Sequence, residues 1–200
     1  MGDSHVVPMI EEIKIVTAWD KNFSYEANEK RIKKEGGCKY YSFLKYEEGA
    51  YTTSMSAAHG YAYNINTELI IDGEKLNSPH TTVFPWMGYN DIISMDKYPN
   101  LENTVSVYIK KVLSKFYKSK VIFVYPIKNI VINSNLDHLE NYKKYCNMLK
   151  NKCLDMGLNE PIDIYDVIKD GVNIAENYTD GVHLKKRFYD EIWQNLKAQA

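Results

Sequence analysis

Residues 81–88 read TTVFPWMG, an apolar run that closes at a glycine. Such a run, with no alternation of polar and apolar residues, is typical of a strand that is buried on both faces of a parallel sheet. Residues 120–127 (KVIFVYPI) have the same character, and residues 161–168 (PIDIYDVI) are of strand type. The pattern therefore predicts three buried parallel strands in this part of the chain.

Segments with apolar residues at helical spacing lie between and after these runs. Residues 101–117, 135–158 and 183–198 are predicted as helices, and Gly157 is placed to end the second of them. The apolar positions of the three helices are, in order, Val105, Ile109, Val112 and Phe116; Leu136, Leu139, Tyr142, Cys146, Leu149 and Cys153; and Leu184, Phe188, Ile192 and Leu196. Strands that alternate with such helices imply βαβ crossovers and an α/β fold whose parallel sheet is covered on both faces.

The first third of the chain extends this pattern less regularly. Residues 13–19 (IKIVTAW) are of strand type, residues 26–34 (EANEKRIKK) are helical by propensity, and residues 38–46 suit a strand. Residues 49–66 fit either a loop or the approach to a helix. Since no repeat or linker divides the 200 residues, we expect a single domain over 1–200.

Composition narrows the classes of function. A formal net charge of -1 argues against a general nucleic-acid surface, and no apolar run approaches the ~18 residues that a membrane span needs. No basic segment followed by an apolar segment marks a secretory signal, so we expect an intracellular protein. The three cysteines, Cys38, Cys146 and Cys153, lack metal-type spacing and are expected to be reduced thiols, and we predict no metal and no cofactor.

The segment DGVHL (180–184) places a carboxylate and an imidazole three residues apart. Side chains at i and i+3 on one turn face the same way, so Asp180 can hold Nδ1–H of His183 and leave Nε2 to act as a base. A base oriented by a third group is the usual means of activating a serine nucleophile. The alternative is structural: Asp180 caps the last helix, and His183 is an ordinary first-turn residue.

The segment WMGYND (86–91) directly follows the first of the three buried strands. Ligands of parallel sheets sit beyond the carboxyl ends of the strands, where Gly88 and Asn90 would offer amide donors to a developing oxyanion. The alternative is an ordinary loop with typical turn residues.

Three short motifs, GDSH (2–5), GYND (88–91) and DGVHL (180–184), occur in this order along the chain. With them the sequence resembles the SGNH (GDSL-type) hydrolases, whose blocks are Gly-Asp-Ser, Gly-x-Asn-Asp and Asp-x-x-His. The resemblance spans nearly the whole chain and implies a three-layer α/β/α fold with a mostly parallel central sheet. In the family a strand leads into Gly-Asp-Ser, whereas only Met1 precedes Gly2 here, so that first strand is expected to be missing or replaced.

The resemblance also implies roles for individual residues. Ser4 would be the nucleophile, His183 the base and Asp180 its orienting carboxylate. The oxyanion hole would consist of the Ser4 backbone N–H, the Asn90 side-chain amide and a glycine N–H. Gly60 is the best candidate for that glycine by position, and Gly49 is a weaker one. Asp3 would brace the nucleophile turn.

Four further residues are candidates for substrate binding: His5, His59, Trp86 and Tyr89. The GDSH form of the first block is similar to that of some glycan-modifying SGNH domains, which suggests a sugar ester as substrate.

Three functions remain open at this stage. The first is an esterase that works through an acyl-enzyme on O-acetyl esters of a glycan or another small alcohol. The second is an O-acyltransferase that uses the same site, with a second alcohol in place of water. The third is a non-catalytic carbohydrate-binding module that keeps the fold. The sequence predicts no nucleic-acid partner and no membrane span, and it leaves the oligomeric state open.

Overall fold

A computed structural model of the chain describes residues 14–18, 41–44, 70–71, 74–75, 77–95 and 100–200. The strands in these residues are β1 (Lys14–Ala18), β2 (Tyr41–Leu44), β3 (Ile70–Ile71), β4 (Glu74–Lys75), β5 (Thr82–Val83) and β6 (Lys120–Val121). The helices are α1 (Tyr89–Ile93), α2 (Leu101–Lys115), α3 (Ile130–Asn133), α4 (Leu136–Asp155), α5 (Tyr165–Ile168) and α6 (Lys186–Ala198), with a short 3₁₀ helix at Ala175–Asn177. The chain therefore has a mixed α/β structure. None of the helices in the described ranges is long and apolar enough to cross a membrane.

Parallel strand pairs occur in two places. β1 pairs with β2, which confirms the strands predicted within 13–19 and 38–46. β5 pairs with β6, and this pairing continues through a single bridge from Trp86 to Val124, while a second bridge joins Val124 to Ile162 on the other side. The segment 120–125 thus lies between the segments that end at Trp86 and Ile162. The parallel strands predicted within 81–88 and 120–127 are confirmed, while the three-layer arrangement stays a prediction.

Pro85 explains why the strand after β5 is irregular. Proline has no N–H to donate and is found at strand edges and irregularities. Its carbonyl still accepts a hydrogen bond from the Val124 N–H at 3.0 Å, and the carbonyl of Val83 accepts from Ile122 N–H at 3.0 Å. The extended segment therefore reaches Trp86 even though regular strand geometry ends at Val83.

In the described residues, the core is formed by the segments of β5 and β6 and by the long helices. α2 buries Val105, Ile109 and Val112, and Phe116 directly after its last residue is also buried, as the spacing predicts. α4 buries Tyr145, Leu149 and Cys153, but Leu136 in its first turn is 80% exposed, so its buried face begins one turn later than the pattern suggested.

α4 ends where the sequence predicts. Gly157 adopts φ 74°, and its N–H donates to the Leu154 carbonyl while the Leu158 N–H donates to the Cys153 carbonyl, both at 2.9 Å. This is the Schellman arrangement, in which a glycine in the left-handed region satisfies the last free carbonyls of the helix.

The strand predicted over 161–168 is wrong beyond its beginning. Only Ile162 pairs with the sheet, and residues Tyr165–Ile168 form α5. The side chain of Asp163 accepts the Tyr165 N–H at 2.8 Å, which turns the chain out of the strand. Ile164 and Ile168 are both buried and lie four residues apart, which is helical spacing. In so short a segment the sequence pattern does not distinguish a helix from a strand.

The last helix also begins later than predicted, at Lys186 instead of residue 183. Residues 178–184 form a loop that is closed by an antiparallel bridge between Tyr178 and Leu184. The Lys185 N–H donates to the Asn177 carbonyl at 2.7 Å, which holds the exit of the loop beside its entry. Within α6, the predicted apolar residues Phe188, Ile192 and Leu196 are buried.

Candidate functional site

The loop 178–184, here called the histidine loop, carries Asp180 and His183. Its two ends are joined by the Tyr178–Leu184 bridge, and the Thr179 N–H donates to the His183 carbonyl at 2.9 Å. The Thr179 hydroxyl donates to the same carbonyl at 3.1 Å. The backbone on either side of the imidazole is therefore fixed by hydrogen bonds within the loop.

Asp180 and His183 are in direct contact. Asp180 Oδ2 lies 2.7 Å from His183 Nδ1, while Oδ1 accepts the backbone N–H groups of His183 at 2.8 Å and Val182 at 3.1 Å. The side chains are 55% exposed for Asp180 and 25% exposed for His183. One carboxylate thus holds both the backbone and the ring of the histidine, an arrangement that the spacing of the two residues predicts.

The charge state of this pair follows from its hydrogen bonds. The pKa of Asp180 is lowered from 3.8 to about 2, chiefly because the His183 backbone N–H donates to the carboxylate. Partial burial opposes this shift, whereas the His183 ring and the Val182 N–H act in the same direction as the backbone N–H. Asp180 is therefore ionised at neutral pH and can only accept hydrogen bonds. Nδ1 of a neutral His183 must then carry the proton, and Nε2 is the unprotonated nitrogen, as a general base requires.

The histidine loop lies at the carboxyl end of the extended segment 120–125, which begins with β6. Asn129, four residues beyond Tyr125 at the end of this segment, donates Nδ2–H to the Val182 carbonyl at 2.9 Å. The next residue, Ile130, donates its N–H to the Tyr178 hydroxyl at 2.9 Å. Ligands of parallel sheets bind at this end of the strands, so the pair occupies the place where chemistry is expected.

A further contact, through Tyr189, connects the histidine loop to the extended segment that ends at Trp86. The Tyr189 ring of α6 lies 6.5 Å from the Trp86 ring, centroid to centroid, at an interplanar angle of 53°. The Tyr189 hydroxyl accepts the Leu184 N–H at 3.2 Å. The end of the histidine loop and the start of the segment 86–91 are thus held by the same tyrosine.

Residues 87–93, which include Gly88 and α1, are here called the glycine loop. This loop carries Asn90. Gly88 adopts φ 120° and precedes α1, and Asn90 is half-buried in the first turn of that helix. A Cβ on Gly88 would lie 2.4 Å from Cζ of Tyr145. Asn141, also on α4, donates Nδ2–H to the Ile92 carbonyl at 3.2 Å. The glycine loop therefore rests directly on α4.

Trp86 and Tyr89, two of the residues predicted to bind substrate, are each 2% exposed and belong to the hydrophobic core. This burial favours a packing role, in which the two rings support the loops around them. Direct contact of either ring with a substrate stays a prediction.

The other predicted site residues, Ser4, His5, His59 and Gly60, lie outside the described residues, as do Asp3 and Gly49. The structure thus brings Asp180 and His183 together and places Asn90 at the same end of the sheet, while the nucleophile and its oxyanion glycine stay predictions. Within the described ranges, no group of three or more His, Cys, Asp or Glu side chains could hold a metal ion.

Sequence reasoning missed the buried polar residues that hold the histidine loop, chiefly Asn129 and the hydroxyls of Tyr178 and Tyr189. Asn129 had a usable signal, because it closely follows a buried strand in a position where polar residues face the ligand crevice. The tyrosines had none, since a buried tyrosine with a hydrogen-bonded hydroxyl looks like any core tyrosine in sequence.

In comparisons with known proteins, no protein-family model, curated protein or solved structure matches this chain.

Proposed function

We propose that the chain is a serine ester hydrolase with the three-layer α/β/α fold of the SGNH hydrolases. Its substrates would be O-acetyl esters of a glycan or of another small alcohol. The 2.7 Å contact between Asp180 Oδ2 and His183 Nδ1 carries this proposal. It supports a general base at the carboxyl end of parallel strands, beside a Gly-x-Asn-Asp loop.

In the proposed reaction, Ser4 Oγ attacks the ester carbonyl while His183 Nε2 takes its proton. The C–O bond to the alcohol breaks, and the imidazolium returns the proton to the departing alkoxide. Water then attacks the acetyl-enzyme, with His183 again as the base. The bond between the acetyl carbon and Ser4 Oγ breaks, the imidazolium returns the proton to Oγ, and acetic acid leaves. Asp180 stays ionised throughout and stabilises the imidazolium.

The oxyanion of each tetrahedral intermediate would receive hydrogen bonds from the Asn90 side chain and from the backbone N–H groups of Ser4 and Gly60. Donors that are fixed before the reaction stabilise this charge without reorganisation, and the loss of one typically costs about 10²–10³-fold in kcat. The contacts of the glycine loop with α4 support such a fixed position for Asn90.

The proposal is tested by the hydrolysis of p-nitrophenyl acetate by the wild type, Ser4→Ala, His183→Ala and the control His80→Ala. His80 is an exposed histidine of the loop before β5, so its loss controls for nonspecific imidazole catalysis. We expect Ser4→Ala and His183→Ala to lose at least about 10³-fold in kcat, and His80→Ala to retain wild-type rates. Equal rates in all four proteins would show that the proposed site is wrong.

A further inference from the structure

Asn129 has a buried side chain whose oxygen and NH₂ group both form hydrogen bonds. It is 0% exposed and caps α3, since its Oδ1 accepts the Ile132 N–H at 3.2 Å. Its Nδ2–H group donates to the carbonyl of Val182 at 2.9 Å. The residue thus joins the carboxyl end of a parallel strand to the middle of the histidine loop.

The bond to Val182 acts on the peptide group that leads into His183. The Val182 carbonyl and the His183 N–H belong to one planar unit. Asn129 holds the oxygen of this unit, and Asp180 Oδ1 holds its N–H at 2.8 Å. With both polar groups fixed, the plane cannot rotate without breaking a hydrogen bond. Thr179 holds the His183 carbonyl on the other side of the residue, so the two peptide planes together fix the direction of the His183 Cα–Cβ bond.

We propose that Asn129 is a positioning residue that sets the orientation of the His183 imidazole through the Val182–His183 peptide group. Its catalytic consequence rests on the proposed esterase function, whereas its effect on the imidazole does not. A displacement of about 1 Å at a reacting group can cost about 10²-fold in rate, so a hydrogen bond one peptide away from the base is near enough to matter.

The substitution Asn129→Asp tests the Nδ2–H donor to Val182 separately from the N-cap of α3. Asp keeps the oxygen that caps α3 and is a good N-cap residue. It places an oxygen against the Val182 carbonyl, where two acceptors repel each other, so the peptide group must move. Asn129→Ser is a second variant that keeps a capping oxygen but is too short to reach Val182.

Two controls separate positioning from stability. Asn135→Asp makes the same chemical change at the N-cap of α4, where the Asn135 side chain accepts the His138 N–H at 3.1 Å. Val112→Ala removes buried volume from α2 and lowers stability while it leaves every hydrogen bond described above for the histidine loop in place.

The experiment records the imidazole nitrogen signals of the full chain labelled with ¹⁵N-histidine, with His183 assigned from their loss in His183→Ala. For the wild type we expect one set of His183 signals, which shows the proton on Nδ1 when the imidazole is neutral. Asn129→Asp and Asn129→Ser should give two sets or broadened signals, with a fall of about 10- to 100-fold in kcat and little change in KM. Both controls should keep the single set.

The proposal is overturned if the His183 signals of the Asn129 variants match the wild type, or if, with an active wild type, kcat of these variants falls no more than in Val112→Ala. A wild type with one ordered set of His183 signals but no esterase activity would reject the proposed function while the signals of the variants still decide the positioning role. If Asn129→Asp does not fold, Asn129→Ser gives the same two outcomes.

Discussion

The histidine loop and the glycine loop occupy the same end of the parallel strands but are held in different ways. The histidine loop is fixed by hydrogen bonds: the Asp180 carboxylate accepts two backbone N–H groups of its own turn, and Asn129 donates to the Val182 carbonyl. The glycine loop has long hydrogen bonds from Asn141 and Tyr145 but is fixed mainly by packing, because the Tyr145 ring fills the space that a side chain at position 88 would need.

This difference determines how each loop responds to mutation. A polar substitution in a half-exposed, hydrogen-bonded turn changes the chemistry of the loop more than the stability of the fold. A larger side chain at a close-packed backbone position mainly changes stability, because protein interiors have little free volume. Each prediction below tests one side of the comparison.

The largest expected effect is that of Asp180→Asn on catalysis. The amide can still accept the two backbone N–H groups through its oxygen, but its NH₂ group faces His183 Nδ1 and favours the tautomer with the proton on Nε2. That tautomer cannot act as the base, so kcat should fall about 10³–10⁴-fold with little change in Tm. Steady-state kinetics and thermal unfolding measure the two quantities.

Asp166→Asn is the matched control for this variant, since Asp166 is an exposed carboxylate paired with Lys169 at 3.4 Å in α5. It should keep the wild-type kcat. An Asp180→Asn variant that retains more than a tenth of the wild-type kcat would show that the carboxylate does not set the tautomer.

The next largest effect is that of Gly88→Ala on stability. The new Cβ would lie 2.4 to 2.6 Å from three atoms of Tyr145, and alanine at φ 120° is strained. We expect a loss of roughly 3 kcal/mol in the free energy of unfolding, measured with urea. Gly157→Ala is the control, because position 157 also has a positive φ but no atom within 4 Å of the new Cβ.

Gly157→Ala should lose only about 1 kcal/mol, the cost of the left-handed backbone alone. If both glycine variants lose the same amount, the Tyr145 ring does not hold the glycine loop by packing.

A smaller effect is expected from Tyr145→Phe. This variant keeps the ring that packs on Gly88 and removes only the hydroxyl, which donates to the Met87 carbonyl at 3.4 Å. Because that hydrogen bond is long, the free energy of unfolding should fall by about 1 kcal/mol or less. A loss as large as that of Gly88→Ala would mean that hydrogen bonding, and not packing, fixes the glycine loop.

The smallest effect is the contribution of Asp180 to acid stability. Its pKa is lower in the folded chain, about 2, than its ordinary 3.8, chiefly because the His183 backbone N–H donates to the carboxylate. The ionised group therefore stabilises the fold above pH 3.8, and this contribution is lost as the pH falls toward 2.

Urea unfolding of the wild type and of Asp180→Asn over this pH range measures the contribution. The stability advantage of the wild type should shrink as the pH falls, because the amide side chain of the variant does not titrate. An advantage that stays constant down to pH 2 would contradict the lowered pKa.

The contrast between the loops also explains what the sequence could predict. The contact between Asp180 and His183 is local, so a spacing of three residues was enough to find it. The face of α2 and the end of α4 at Gly157 were likewise local patterns. Asn129 and Tyr145 act on residues 53 and 58 positions away along the chain, and no local pattern carries that information.

The errors have the same origin. Residues 161–168 favour one strand in the sequence because so short a segment fits either period. In the structure the Tyr165 N–H donates to the Asp163 side chain, and the chain turns into a helix instead. The start of α6 was placed three residues early because the Tyr178–Leu184 bridge closes the loop through a backbone contact that side-chain spacing does not encode.

The most direct test of the proposed function is the reaction of the full chain with a fluorophosphonate probe, followed by peptide mass spectrometry. The account predicts a covalent adduct on Ser4 in the wild type and in the control His80→Ala, and its loss in His183→Ala. An adduct on another residue, no adduct in the wild type, or labelling of Ser4 at the wild-type rate in His183→Ala would contradict it.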